Sequence, residues 1–453
     1  MKEIRKVLIA NRGEIALRVI RTLREMGIKS VAVYSEGDKN SLHIRLADEA
    51  VCIGPAQAKE SYLKSENIIS AAVSVKADAV HPGYGFLSEN AEFSKACHKN
   101  GIIFIGPSAD SIKLLGHKAT ARSIAKKAGV PITPGTDGCV EKEYMKEAEK
   151  IGFPVMIKAA AGGGGRGIRI VYDKDKLLHE CEMAKNEAMA AFGNGEIYFE
   201  KFIEKPRHIE IQFLRDSFGN TVAFAERDCS VQRRNQKLIE ETPSPAVNTQ
   251  LRKRLQKAAA NLADSADYHG AGTVEFLLDK NGDFYFMEVN TRLQVEHPVT
   301  EFISGADLVR QQILIAMGEK LEISQQDADN FKGHSIEHRV NAEDWRNNFM
   351  PSTGKVKEWI LPGGPGIRID SHVYQGYDLP VYYDSMIAKL IIWAPDRNKA
   401  IARSLRAIED FKVEGIKTTL GAHEKILRSP QFMSGDIDTK FLENFMASDE
   451  FKK

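Results

Sequence analysis

No apolar run in this chain approaches the length of a membrane span. The opening MKEIRKVLIANRGE passes straight into a strand pattern and carries no apolar core of signal-peptide type. Cysteine is scarce: Cys52, Cys97, Cys139, Cys181 and Cys229 are odd in number, widely spaced and free of any CxxC pair. That excludes a disulfide framework or a structural zinc site and fits a reducing, cytoplasmic setting. An excess of charge of either sign is missing too, since 63 basic and 62 acidic residues leave a formal +1. Nothing therefore pulls the whole chain toward nucleic acid or an anionic membrane, and neither is expected as a partner. There is no internal repeat, no low-complexity stretch and no GxxxxGK[ST] phosphate loop. The nearest approach to a dinucleotide fingerprint, Gly83-Tyr84-Gly85, lacks the third glycine.

What remains is a globular pattern too long, at 453 residues, for one core, with roughly three units expected. Over residues 1–115 short strands (Lys6–Ala10, Ser30–Tyr34, Ala79–His81, Ile102–Ile105) alternate with helices. The helix Glu14–Met26 presents Ile15, Val19, Ile20, Leu23 and Met26, and Gly27 stops it. Such alternation predicts an α/β unit with a parallel sheet and crossover helices. The stretch PITPGTDG at 131–138 separates this unit from the segment carrying a run of four glycines, within a second unit, 116–330, whose strand-rich part near 195–300 carries many charged residues. A third unit, 331–453, reads as a β-rich α+β domain of short strands closed by helices near 397–409 and 421–428.

Within the second unit FPVMIKAAAGGGGRGIRIV places four glycines, Gly162 to Gly165, between two apolar, β-branched runs. A linker would have polar flanks, so a strand, a glycine hairpin and a returning strand are predicted. Glycine allows close approach to a ligand and positive φ, and successive exposed N–H groups make an anion-binding concavity. With Lys158 before the loop and Arg166 and Arg169 after it, the segment reads as a flap over nucleotide phosphates.

The segment GTVEFLLDKNGDFYFMEVNTR carries the clearest chemistry. Asn281-Gly282 signals a two-residue type I′ turn, which puts Glu275 opposite Glu288 with Cβ atoms roughly 4.5–5.5 Å apart. Most of the neighbouring positions are apolar, and facing carboxylates there are destabilising unless a cation lies between them. Asn290 returns to the same face. Two carboxylates and an amide oxygen suit Mg²⁺ or Mn²⁺ where phosphates complete the shell; the alternative is two glutamates at a solvated edge.

A carboxylate hairpin downstream of a lysine–glycine flap is the layout of ATP-grasp ligases. Seven blocks carry a closer resemblance: IANRGEIA, HPGYGFLSEN, GGGGRGIR, EKFIEKPRHIEIQ, ERDCSVQRRNQK, FMEVNTRLQVEHPVTE and YYDSMIAKLI. Over essentially its whole length the chain resembles the biotin carboxylase component of biotin-dependent carboxylases. The resemblance implies a Rossmann-like domain at 1–115, an ATP-grasp domain at 116–330 with a lid at about 132–203, and a C-terminal domain at 331–453.

It also implies roles. Lys118, Lys158, Gly163, Gly164 and Gly165 would contact ATP phosphates. Glu200, Lys201 and Ile203 would form the adenine hinge, and His208, Gln232 and Asn235 the ribose and phosphate contacts. Arg292, Gln294, Val295, Glu296, Arg339 and Tyr84 resemble the bicarbonate and biotin site, with Glu296 as general base. Lys237 and Arg339 would meet charge on carboxyphosphate and then on the biotin enolate, and Arg292 would hold an oxyanion by a bidentate contact. For Arg339 a surface pairing with Glu337 or Asp344 is the alternative. The implied reaction is ATP- and bicarbonate-dependent carboxylation of biotin through carboxyphosphate.

Three positions depart from the family pattern: Asn235 stands where histidine is common, His338 where cysteine is, and Ala161 where the glycine run usually begins. A carbamoyl-phosphate-synthetase-type ligase would repeat in tandem, and a non-catalytic nucleotide-binding subunit would have lost some of these side chains. No Met-Lys-Met biotinylation site occurs. Biotin is thus expected on a separate carboxyl carrier protein, with a carboxyltransferase subunit and a second copy of this chain, as a homodimer, as further partners.

Overall fold

In the strand Lys6–Ile9 successive side chains point to opposite faces, and Val7, Leu8 and Ile9 are all fully buried. The computed structural model, which describes residues 3–136, 138–140, 142–160 and 168–452, puts this strand at the centre of a five-stranded parallel sheet. The order is Glu49–Cys52, Lys29–Tyr34, Lys6–Ile9, Ala79–His81, Ile103–Phe104. Leu8 packs with Val31, Ile68 and Phe93 inside the unit. Val7 and Ile9 share a core with Leu214, Phe224, Leu293 and Ile313 from the second unit. The crossover helix Gly13–Glu25 ends as expected, with Gly27 at φ +70° and its amide bonded to the Arg24 carbonyl at 3.1 Å.

The second unit is built on an antiparallel sheet. Its strands run Phe284–Asn290, Gly270–Leu278, Arg207–Arg215, Arg227–Arg233 and Gln236–Thr242. The sheet does not stop at the expected boundary. Thr242 to Ile239 pair with Ser335 to His338, so His334–Asn341, Met386–Ala394 and Ile367–Ser371 continue it into the third unit. Counting Thr221–Ala223 on its flank, the sheet has nine strands among the described residues. The third unit is therefore grafted edge-on to the second, and its helices Arg397–Asp410 and Leu420–Arg428 cover its own core.

The segment expected as a lid holds a separate small sheet in which Val155–Ala159 lies between Ile168–Val171 and Ile197–Lys201, all antiparallel. The predicted strand and its return are present, Lys158 pairing with Ile168. The glycines Gly162 to Gly165, Ala161 and Arg166 lie outside the described residues. The stretch at 131–138 bridges both bodies, because Ile132 pairs with Phe286 and Gly135 with Glu200. Glycine is required at 135, where a Cβ would stand 2.6 Å from the Phe199 carbonyl.

Two turns differ from expectation. The connection after Leu278 is not a two-residue type I′ turn: Leu278 pairs with Phe284, and the Asp279 amide bonds the Asp283 carbonyl at 2.8 Å across a three-residue loop. Gly282 alone takes positive φ there, +83°, the pattern of a three-residue hairpin with a glycine in the left-handed region. A bulge between Glu275 and Phe276 then absorbs one residue and restores the pairing of Glu275 with Glu288. The type I′ geometry occurs instead between Arg227–Arg233 and Gln236–Thr242, where Arg234 (φ +49°) and Asn235 (φ +64°) turn between paired Arg233 and Gln236. Among the described residues no helix is long and apolar enough to cross a membrane.

Candidate active site

The central strands alternate in a particular way. On Arg207–Arg215, Ile209, Ile211 and Phe213 enter the core of the second unit, while His208, Glu210 and Gln212 occupy the other face, also buried. Neighbouring strands add Glu275, Lys237 and Arg339, and the loop 291–296 closes over them. This polar face meets other protein elements rather than water.

Lys237 is its hub. An ammonium has three donors, and here each has its own carboxylate: Glu210 at 2.7 Å, Glu275 at 3.1 Å and Glu296 at 2.6 Å. Burial alone would lower the Lys237 pKa, but Cys229, Glu210, Glu275 and Glu296 raise it well above the ordinary lysine value. Arg227, fully buried, donates to Glu210 at 2.5 Å and to Thr300 at 2.9 Å. Two acidic groupings have the composition of metal sites, His208–Glu210–Glu275 and Glu210–Cys229–Glu296. Lys237 and Arg227 already neutralise both.

Glu296 is wholly buried at the start of the helix His297–Ser304. Lys237 holds one of its oxygens at 2.6 Å and Arg339 the other at 3.0 Å. Burial would raise its pKa, yet Lys237, Arg339 and Arg227 together hold it well below the usual carboxylate range. Arg339 therefore does not form the alternative pairing with Glu337 or Asp344; it donates to Glu240 at 2.6 Å and to Glu296. Burial, opposed by Arg339, pushes the Glu240 carboxyl up to about 7.

The predicted metal pair is cross-strand as expected, but each member has its own protein partners. Glu275 accepts from Asn290 Nδ2 at 2.9 Å and Gln294 Nε2 at 3.3 Å, and His208 Nε2 lies 3.0 Å away. Glu288, with its side chain 36% exposed, faces Lys118 at 3.4 Å. The Asn290 oxygen is not aimed between the carboxylates, because it accepts from Arg292 at 3.1 Å. Arg292 also donates to Glu89 at 2.9 Å and to Gln294 at 2.8 Å. The bidentate edge predicted for an oxyanion thus meets protein oxygens.

Other assigned residues lie at the rim. Lys158 is ion-paired to Glu200, which also meets Arg122 at 3.2 Å. Lys201 donates to the carbonyls of Gly152 and Phe153 at 2.9 and 2.7 Å, and Ile203 is buried at the lid junction. Gln232 stands directly opposite Lys237, while Asn235 is exposed at the hairpin tip. Tyr84 donates its hydroxyl to Glu14 from below the loop 291–296. His338 points away from Arg339, since neighbours on a strand alternate. Its Nε2 meets Ser404 Oγ at 2.9 Å behind the sheet, so that departure from the family pattern lies outside the site. Glu89, Glu210, Arg227 and Glu240 were not singled out by sequence. The signal for Glu210 was present: His208, Glu210 and Gln212 are spaced by two on a strand whose other face carries Ile209, Ile211 and Phe213 between them.

Comparison with known proteins shows likeness over the whole length of the chain. The family model described as biotin carboxylase, N-terminal domain matches residues 3–112, and the biotin carboxylase C-terminal domain matches 337–444. Between them, the carbamoyl-phosphate synthase L chain, ATP binding domain matches 117–324. A biotin carboxylase of Nostoc sp. is 54% identical over 97% of this chain and 98% of its own length. The biotin carboxylase of Campylobacter jejuni, solved as a β-γ-ATP complex, is 50% identical with TM-score 0.90, covering 98% of this chain and 99% of that one. The biotin carboxylase domain dimer of Hydrogenobacter thermophilus 2-oxoglutarate carboxylase, solved with MgADP, ADP and bicarbonate, is 46% identical with TM-score 0.90 and full coverage of both chains.

Proposed function

The chain belongs to the biotin carboxylases, ATP-grasp ligases of three-domain architecture, and on that premise we propose how its own residues carboxylate biotin with ATP and bicarbonate. Lys118, Lys158 and the flap residues Gly163, Gly164 and Gly165 hold the ATP phosphates. Glu200, Lys201 and Ile203 receive the adenine, and His208, Gln232 and Asn235 the ribose and phosphates. Glu275 and Glu288, joined by Asn290 once its amide turns, form an oxygen donor set of the kind Mg²⁺ or Mn²⁺ takes alongside phosphates. Such an ion, when bound, supplies charge neutralisation on the nucleotide.

Arg292, Gln294 and the Val295 backbone hold bicarbonate. One bicarbonate oxygen attacks the γ-phosphorus as the bond to the β-phosphate oxygen breaks and ADP leaves, and Glu296 takes the bicarbonate proton. Carboxyphosphate then divides into CO₂ and phosphate. The phosphate accepts the ureido proton of biotin, and the enolate, held by Arg339 beside Tyr84, attacks CO₂ to give N1′-carboxybiotin.

The observation that carries this reading is Glu296, fully buried between Lys237 at 2.6 Å and Arg339 at 3.0 Å. A carboxylate so restrained is a poor base until its cations find other anions. As the phosphates and bicarbonate draw Lys237 and Arg339 toward themselves, the proton affinity of Glu296 rises, so base strength follows substrate loading.

Biotin arrives on a separate carrier protein, a carboxyltransferase subunit consumes the product, and the chain works as a cytoplasmic homodimer. In the test, purified protein with ATP, Mg²⁺ and bicarbonate releases ADP slowly, and free biotin at high concentration accelerates it. Glu296→Ala abolishes that acceleration while nucleotide affinity is kept. ATP turnover that ignores biotin and survives Glu296→Ala unchanged overturns the reading.

A further inference from the structure

Apart from Tyr84, three of the sequence blocks have no part in the chemistry just described: NRGE at 11–14, HPGYGF at 81–86 and MIAKL at 386–390. They meet at one place. Asn11 Nδ2 donates to the carbonyls of Pro82 and Tyr84 at 2.8 and 2.7 Å. Glu14 accepts the Tyr84 hydroxyl and lies 3.2 Å from Lys389 Nζ. Lys389 has no exposed side-chain surface and Glu14 has 3%. Lys389 Nζ also sits 5.9 Å from the centre of the Tyr84 ring and donates to the Val295 carbonyl at 2.8 Å.

The register gives this contact its meaning. Lys389 is the direct cross-strand neighbour of Arg339. Two adjacent cations on the sheet therefore hold two adjacent residues of the loop, Lys389 the carbonyl of Val295 and Arg339 the carboxylate of Glu296. On the other side, His297 Nδ1 donates to the Gln294 carbonyl at 2.8 Å. In a trans peptide C=O and N–H point in opposite directions, so with Gln294 O turned to His297 the Val295 N–H is directed away from it. Both peptide planes that carry Val295 are thereby pinned from the protein side.

A buried ammonium spanning three chain segments is a costly way to stabilise a fold, since a well-packed apolar residue often serves as well. We propose that Lys389, oriented by Glu14 and Tyr84, is a positioning residue that fixes the Val295–Glu296 backbone for bicarbonate. This rests on the reading of the 292–296 segment as the bicarbonate site. Glu337 and Asp370 also face Lys389, with Arg368 beyond them; burial and Arg368 lower its pKa, but Glu14, Glu337 and Asp370 outweigh them and raise it.

The test uses Lys389→Met, which retains the stem and removes the ammonium, and Lys389→Met/Glu14→Gln, which also removes the charge of the carboxylate that ion-pairs with it. The double variant regains the melting temperature lost by the single one. In it kcat/KM for bicarbonate stays about 10²-fold down, as a misplaced reacting group costs, while KM for ATP moves less than about twofold. Glu14→Gln alone, the mildest change, shows a smaller drop in kcat/KM for bicarbonate with the same unmoved KM for ATP. If the double variant, or Glu14→Gln where Lys389→Met does not fold, has wild-type kcat/KM for bicarbonate, Lys389 is only structural and the proposal fails. Glu296→Gln run in parallel separates the two levels: wild-type bicarbonate kinetics in that variant refute the site itself.

Discussion

Replacing Lys237 with methionine keeps the volume and removes one charge from among three carboxylates. Glu210 and Glu296 are fully buried and Glu275 is 6% exposed, so solvent cannot take over the role. With Glu240 the layer holds four carboxylates against Lys237, Arg227 and Arg339. His208 supplies the balance: burial would lower its proton affinity, but Glu275 raises it. Removing one partner of such a buried set costs about 3–5 kcal/mol. The carboxylates then relax by taking up a proton that the unfolded chain does not bind near neutrality. A folded state that binds the extra proton loses stability as pH rises. For one proton that amounts to at most about 2.7 kcal/mol between about pH 6 and about pH 8. Wild type shares the sign of this slope through His208 and Glu240, whose raised pKa values stabilise at low pH, but the variant should be steeper. Scanning calorimetry at the two pH values measures both quantities. Bicarbonate-dependent ADP release should fall about 10²–10³-fold, as for loss of a preorganised electrostatic donor. A variant with wild-type melting temperature and wild-type pH slope would refute Lys237 as the neutralising centre.

Two further outcomes follow from the neighbouring strands. Burial raises the Glu241 pKa, but bonds from His334 at 2.8 Å and Arg397 at 2.7 Å hold it at about 2. A carboxyl depressed from 4.5 stabilises above its unfolded value, and the contribution disappears as pH falls through about 2. Glu241→Gln should therefore cost about 3 kcal/mol at neutral pH and flatten the acid limb of the stability curve, read by urea titration at several pH values. At the hairpin tip, Asn235→Val should destabilise by about 1–2 kcal/mol because a β-branched residue resists the left-handed region, whereas Asn235→Gly should hold the melting temperature. A raised KM for ATP in that glycine variant then reports a side-chain contact to the nucleotide, and an unchanged one removes Asn235 from the ATP site.

Local patterns carried much of the architecture. The apolar strand at Lys6–Ile9, the stop at Gly27 and the two C-terminal helices follow from short-range patterning and capping, which depend only on neighbours in sequence. Motif blocks led to Glu296, Arg339 and Lys237 for the same reason. The pairing of Glu275 with Glu288 was also legible, though by a route the molecule does not take. The loop is one residue longer than a type I′ turn, and a bulge returns the register, while the pairing of Gly270–Leu278 with Arg207–Arg215 on the other side runs unbroken.

What sequence could not supply is which polar faces meet water and which meet one another. Lys237 gathers carboxylates 27, 38 and 59 positions away, and the union of Glu14, Tyr84, Val295 and Lys389 draws on all three units. Contacts of that span have no period to read. The continuation of one sheet from Gln236–Thr242 into His334–Asn341 likewise depends on two strand edges finding each other in space. Chain chemistry chose the charged side chains and the faces of their strands. Burial against another element decided whether each became a solvated surface, a neutralised core pair or a carboxylate held between two cations, because the worth of a charge depends on the dielectric and the partners that only the folded chain provides.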